Sequence, residues 1–133
     1  MARTTVRNLR QTVTIRAPPK LVYDTLVRAS EHAKFTGAAA RLEAKVGGRF
    51  ELWDGSLTGV VVELDPGRRI VLAWRSTEWP PGHYSIADFG LRASRGGTKL
   101  EFSQYGIPSD DYDDIAGGWK TFYWDPLKEY LEP

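Results

Sequence analysis

Hydrophobic and polar positions alternate imperfectly from Val6 and settle into a clear strand pattern by Arg16. Pro18 and Pro19 follow, where the first turn of a helix tolerates missing N–H groups, and a helix is predicted to about Val27. Ser30 is placed to cap a second short helix, which Gly37 terminates. Beyond it, Gly47-Gly48, Asp54-Gly55, Asp65-Pro66-Gly67, Pro80-Pro81-Gly82 and Gly96-Gly97 separate runs rich in Val, Ile, Phe, Trp and Leu. Connections this short join antiparallel strands, so the middle of the chain reads as a meander. From Ser109 to Leu131 the period changes: Ile115, Trp119, Phe122, Tyr123, Pro126 or Leu127, and Tyr130 recur at three- and four-residue steps, the stripe of one long helix.

Alternation also assigns faces within the meander. Phe50 and Leu52, then Ile70, Leu72 and Trp74, then Ser85, Ala87, Phe89 and Leu91, then Leu100, Phe102 and Gln104 fall on the helix side. Glu51, Arg75, Asp88, Lys99 and Glu101 fall on the other. Val60, Val61 and Val62 are apolar in succession, which leaves that strand's face open and admits a bulge. A helix with this many rings needs a broad concave apolar partner. The predicted class is therefore α+β: a curved antiparallel sheet of about six or seven strands, two short helices after the first strand, and a long C-terminal helix across the concave face.

Composition narrows the function. A chain of 133 residues is one domain, able to bury roughly two-thirds of the surface its unfolded form exposes. Eighteen basic and seventeen acidic side chains nearly cancel, which argues against nucleic acid as a partner, and no basic run points to an anionic membrane. The absence of Cys excludes disulfides, thiol nucleophiles and thiolate metal sites. No apolar run approaches a membrane span, and Met1 to Thr5 lack the apolar core of a signal peptide, so a soluble cytoplasmic protein is expected.

The motifs have a specific order. Ala17-Pro18-Pro19 precedes Val22-Tyr23 and Leu26; then come Gly47-Gly48-Arg49-Phe50, Asp54-Gly55, Thr58-Gly59 and Trp74-Arg75. Trp79-Pro80-Pro81-Gly82-His83-Tyr84, Gly106-Ile107-Pro108, and Gly118-Trp119 through Tyr123 complete the series. In this order and spacing the chain resembles, over nearly its whole length, the C-terminal domain of the activators of heat-shock protein 90 ATPase, within the START-like, birch-pollen-allergen-like helix-grip superfamily. The resemblance implies a single START-like domain over residues 1–133. It also implies a non-catalytic co-chaperone with a stress-response role and heat-shock protein 90 as partner. In the two-domain activators a separate N-terminal domain supplies the principal anchoring surface, and only about eight residues here are expected to precede the first strand. The alternative function is binding or transport of a small hydrophobic ligand, because helix-grip relatives often leave a cavity between helix and sheet.

Several residues are candidates for such a cavity. Trp74, Phe89, Phe102, Trp119 and Tyr123 supply apolar rings, with His83 and Gln104 as a polar end; filled core is the competing reading. His83 titrates near neutrality, yet no nucleophile or second base is spaced with it, so a backbone hydrogen bond at a strand start is its expected role and no catalytic residue is assigned. Trp53, Arg75 and Trp79 are candidates for protein contact near sheet or loop edges. Asp110, Asp111, Asp113 and Asp114 cluster at the start of the last helix behind Ser109. Offsetting the helix dipole explains them better than a metal, since the spacing and interrupting Gly of a calcium loop are missing. Neither a metal nor a cofactor is expected. Gly117 and Gly118 lie inside the last helix at a cost of about 0.8 to 1 kcal/mol each. Close packing against a residue such as Trp74 is favoured over a thin helix wall above a ligand entrance.

Overall fold

A computed structural model describes residues 5–133; the reading of Met1 to Thr4 as free of a targeting signal lies outside the described residues. Seven strands form one curved antiparallel sheet in the order β1-β7-β6-β5-β4-β3-β2. They are β1 (Val6–Ile15), β2 (Arg41–Leu42), β3 (Arg49–Leu52), β4 (Leu57–Asp65), β5 (Arg69–Ser76), β6 (Ser85–Ser94) and β7 (Gly97–Pro108). Helices α1 (Pro19–Val27) and α2 (Ala29–Thr36) connect β1 to β2. The α+β class read from the pattern, and the helix-grip fold implied by the resemblance, are the observed ones. Among the described residues no helix is long and apolar enough to cross a membrane.

The face assignments follow the period of two. Phe50, Leu52, Ile70, Leu72, Trp74, Ser85, Ala87, Phe89, Leu91, Leu100, Phe102 and Gln104 are all buried on the helix side. In β4 the ambiguity among three valines resolves through a bulge: Val61 pairs with Leu72 and Glu63 with Val71, so Val62 is the extra residue and turns outward. A second bulge lies in β7. There Tyr105 and Gly106 together face Asn8, Gly106 adopts φ 87°, and its N–H donates to Asn8 Oδ1 at 3.1 Å. The helix boundaries need one correction. Ser30 lies inside α2 rather than capping it, since the cap position is Arg28, which makes no side-chain cap bond; Gly37, at φ 77°, ends the helix as expected.

The C-terminal helix is continuous but not uniform. A 3-10 turn (Ser109–Asp111) leads into α3 (Tyr112–Trp119), a π-helical turn (Lys120–Trp124), and α4 (Asp125–Leu131). The wider turn brings Trp119, Tyr123, Trp124 and Leu127 inward. Phe122 and Tyr130, which a regular period of 3.6 puts on the buried stripe, are instead 53% and 39% exposed. The extra residue per turn shifts the register, so a ring not on the regular stripe, Trp124, enters the core. It stacks on Trp119 at 5.4 Å and donates from Nε1 to Gln11 Oε1 at 2.7 Å. Ser109 does not cap the helix start with its side chain; its hydroxyl accepts from Thr5 Oγ1 at 2.9 Å.

Candidate functional site

Trp119 occupies the middle of the grip. Its ring centroid lies 4.4 Å from Phe102, 5.7 Å from Phe89 and 5.8 Å from Trp74. Its Nε1 donates to Gln104 Oε1 at 2.8 Å. Gln104 Nε2 then donates to Ser85 Oγ, and Ser85 Oγ to the Trp74 carbonyl, each at 2.9 Å. This chain of bonds is buried and complete. Gln104 therefore orients Trp119 within the core and is no polar end of a cavity, and Phe102 is packed beneath the same ring.

On the side of Trp119 that faces the β3–β4 hairpin, packing stops. An open cleft of about 310 Å³ lies between α3 with the π-helical turn and the β3–β4 hairpin. Trp53 and Leu57 form one side, Ile115, Gly118 and Phe122 the other, with Trp74, Trp119 and Tyr123 at the base. Gly117 and Gly118 do not approach the sheet closely: a Cβ on Gly117 would meet nothing within 4 Å, and one on Gly118 only the Phe122 ring at 3.6 Å. The favoured packing explanation is thus overturned, and the thin helix wall over an opening fits the geometry. Phe122 is exposed because its ring flanks this cleft, 5.5 Å from Trp53.

Trp53 holds its place under strain. The β3–β4 turn puts both Trp53 (φ 54°) and Asp54 (φ 58°) in the left-handed region, and Gly55 N–H closes the turn onto Leu52 O at 3.1 Å. A bulky aromatic residue is rare there, and strain of this kind concentrates at functional sites. Asp54 is tied to the segment after α2 by two bonds: Ala39 N–H to Asp54 Oδ1 at 3.0 Å, and Asp54 N–H to Ala39 O at 3.1 Å. Trp53 Nε1 donates to the Tyr123 hydroxyl at 3.2 Å, and that hydroxyl lies 3.1 Å from His32 Nε2. Burial pushes the Tyr123 phenol well above its usual range, opposed by the Trp53 bond, so it stays protonated. Burial lowers His32, only 2% exposed, to about 4, so its imidazole is neutral near pH 7.

The candidate residues separate into three groups. Trp74, Trp119 and Tyr123 line the cleft, and so does Trp53, which the pattern suggested for protein contact. Phe89, Phe102 and Gln104 stay in the interior. His83 lies outside the cleft: its Nε2 donates to Gly106 O at 2.8 Å, which ties the β5–β6 connection to the β7 bulge, and its ring meets Trp79 edge-on at 5.4 Å. Trp79 is no surface contact. It is 5% exposed and donates from Nε1 to Asp111 Oδ2 at 2.7 Å, because the loop it sits on folds against the start of the helix. Arg75 remains half-buried, with Nη2 bonded to Trp79 O at 2.8 Å. His32 was missed, although its spacing of three from Phe35 marks the inward face of α2. Among the described residues no three His, Cys, Asp or Glu side chains converge as a metal site would require.

Besides the indole N–H groups of its Trp residues, the cleft's polar groups are Asp114, Ser56 and the Tyr123 hydroxyl, and the Ser56 hydroxyl donates to Trp53 O at 2.8 Å. Sheet, gripped helix and aromatic cleft together define a helix-grip fold. The chain belongs to the family of activator of Hsp90 ATPase homolog 1-like proteins, whose family model matches residues 16–132. It is 32% identical over 111 residues to the human activator of 90 kDa heat shock protein ATPase homolog 1, covering 84% of this chain and 33% of that one. With the homologous activator of Dictyostelium discoideum it shares 31% over 125 residues, 93% of this chain and 33% of the relative. The chain thus spans about a third of the length of these relatives. The crystal structure of an HSP90 activator from Plasmodium falciparum superposes with a TM-score of 0.86 at 23% identity, covering 92% of this chain and 94% of that one, a similarity of fold.

Proposed function

We propose that this domain is non-catalytic and that its cleft holds a small hydrophobic ligand. The observation that carries this reading is the open space of about 310 Å³ whose walls are almost entirely aromatic and aliphatic side chains. That volume lies at the lower end of the range for small-molecule sites, which pair an apolar lining with few polar groups. Cleft and helix glycines fit together: a side chain at Gly118 would enter the same space. A fluorescent apolar probe such as N-phenyl-1-naphthylamine should bind the native protein at micromolar concentration, and Gly118→Leu should abolish uptake while the far-UV spectrum stays native. A folded sample that takes up no probe sinks the proposal.

A second reading, contact with heat-shock protein 90, is supported by the family match and by the identity with the human activator. A cytoplasmic stress-response role belongs to this reading. Steady-state turnover of the chaperone ATPase with equimolar domain tests it. Weak or no stimulation is expected from a chain spanning a third of those relatives. Strong stimulation at micromolar concentration would mean that the domain carries its own anchoring surface, and Trp53 and Arg75 would be the first positions to mutate.

A further inference from the structure

Two ring N–H groups beside the cleft have no partner within the protein. Trp74 Nε1 and His32 Nδ1 are both buried and neither meets an acceptor. Both rings border a second, enclosed space of about 20 Å³, and Trp74, Trp119 and Tyr123 stand in the walls of both spaces. That volume is room for about one oxygen-sized group. The proton positions follow from the bonds. Tyr123 O accepts from Trp53 Nε1, and His32 Nε2 at 3.1 Å is the acceptor within reach of its own proton; that bond satisfies the phenol and leaves the proton of a neutral His32 on Nδ1. Both unpaired groups are therefore donors, and a buried donor left unpaired is costly. Arg75 Nε, also unpaired, belongs to the next residue of β5 and so to the opposite face of the sheet.

Resting on the cleft reading above, we infer that the ligand is a neutral apolar molecule carrying one acceptor oxygen, of the ketone, aldehyde or ester class. Its body lies in the outer cleft, and its oxygen accepts from Trp74 Nε1, with His32 Nδ1 as the second donor on the inner side. A carboxylate fits less well. Asp114 is the one acidic side chain among the described residues lining the two spaces, His32 is neutral, and no Lys or Arg lines either.

Two nearly isosteric probes separate the possibilities: 2-ethylnaphthalene and 2-acetylnaphthalene, which differ by one carbonyl oxygen. In competition with the fluorescent probe, the ketone should bind about tenfold more tightly, the worth of one buried hydrogen bond. Trp74→Phe, which keeps a ring but removes the donor, should erase that preference while the hydrocarbon still binds. In ¹⁵N-labelled wild-type protein the Trp74 indole proton should move downfield with the ketone and not with the hydrocarbon; this readout decides the matter if the variant does not fold. Equal or tighter binding of the hydrocarbon, or a ketone preference that survives Trp74→Phe, overturns the inference and leaves an apolar-ligand cleft. Binding of neither probe removes the cleft reading itself, and the inference with it.

Discussion

Replacing Trp119 by Ala tests how the helix is anchored. The ring is 3% exposed and touches Phe102, Tyr123, Trp124, Phe89 and Trp74 at centroid distances from 4.4 to 5.8 Å. Deleting a buried ring of this size costs about 3 to 5 kcal/mol. The deletion also leaves Gln104 Oε1, wholly buried, without its donor, which adds about 1 to 3 kcal/mol. The adjoining cleft works the other way, since the helix can settle into it and collapse part of the new cavity. About 5 kcal/mol is therefore expected, comparable with the whole stability of a small domain. Trp119→Phe, which keeps most of the ring contact but loses the N–H, should cost about 2 to 3 kcal/mol. Urea titration followed by far-UV circular dichroism measures both, provided the slope of the transition is unchanged. In a double-mutant cycle, Gln104→Met should recover about 1 kcal/mol or more of coupling with Trp119→Phe. A loss below about 1 kcal/mol for Trp119→Ala would refute the reasoning and place the anchoring energy in Trp124 and Leu127 instead.

His32 should make stability depend on pH. Its folded pKa of about 4 lies below the ordinary 6.5, so the unfolded chain takes up the proton first. The stability it contributes is complete above about pH 6.5 and declines as the pH falls towards 4, by about 3 kcal/mol in all. The difference between wild type and His32→Phe, titrated with urea at several pH values, isolates this group; a difference that does not change with pH contradicts it. Gly117→Ala should stabilise by about 0.8 to 1 kcal/mol, because the new methyl meets nothing and the helix gains propensity. Gly59→Ala should cost about 3 kcal/mol or prevent folding, because its Cβ would collide with the Ala73 carbonyl and the Phe50 ring. Melting temperatures of the two variants moving in the same direction would refute the steric argument at one of the two glycines.

Much of the fold was legible because its signals are local. Turn residues between β-rich runs mark the meander, a period of two sorts inner from outer positions, and a change of period marks the last helix. Those rules put Phe89, Phe102 and Gln104 on the helix side of the sheet, but not whether they fill the core or line a cavity. They did not place the π-helical turn, since a period of 3.6 predicts Phe122 inward and says nothing of Trp124. That register depends on which rings the concave sheet can accept, a fit between elements far apart in the chain. The burial of Trp79 depends on its loop reaching Asp111, 32 residues away, and the role of His32 on Tyr123, 91 residues away. The cleft is of the same kind. Its rings were visible as apolar residues, but periodicity records only which side a residue faces. Whether facing rings meet, as at Trp119 and Phe102, or stand apart, as across Gly118, is a distance between surfaces, and only the folded chain sets it.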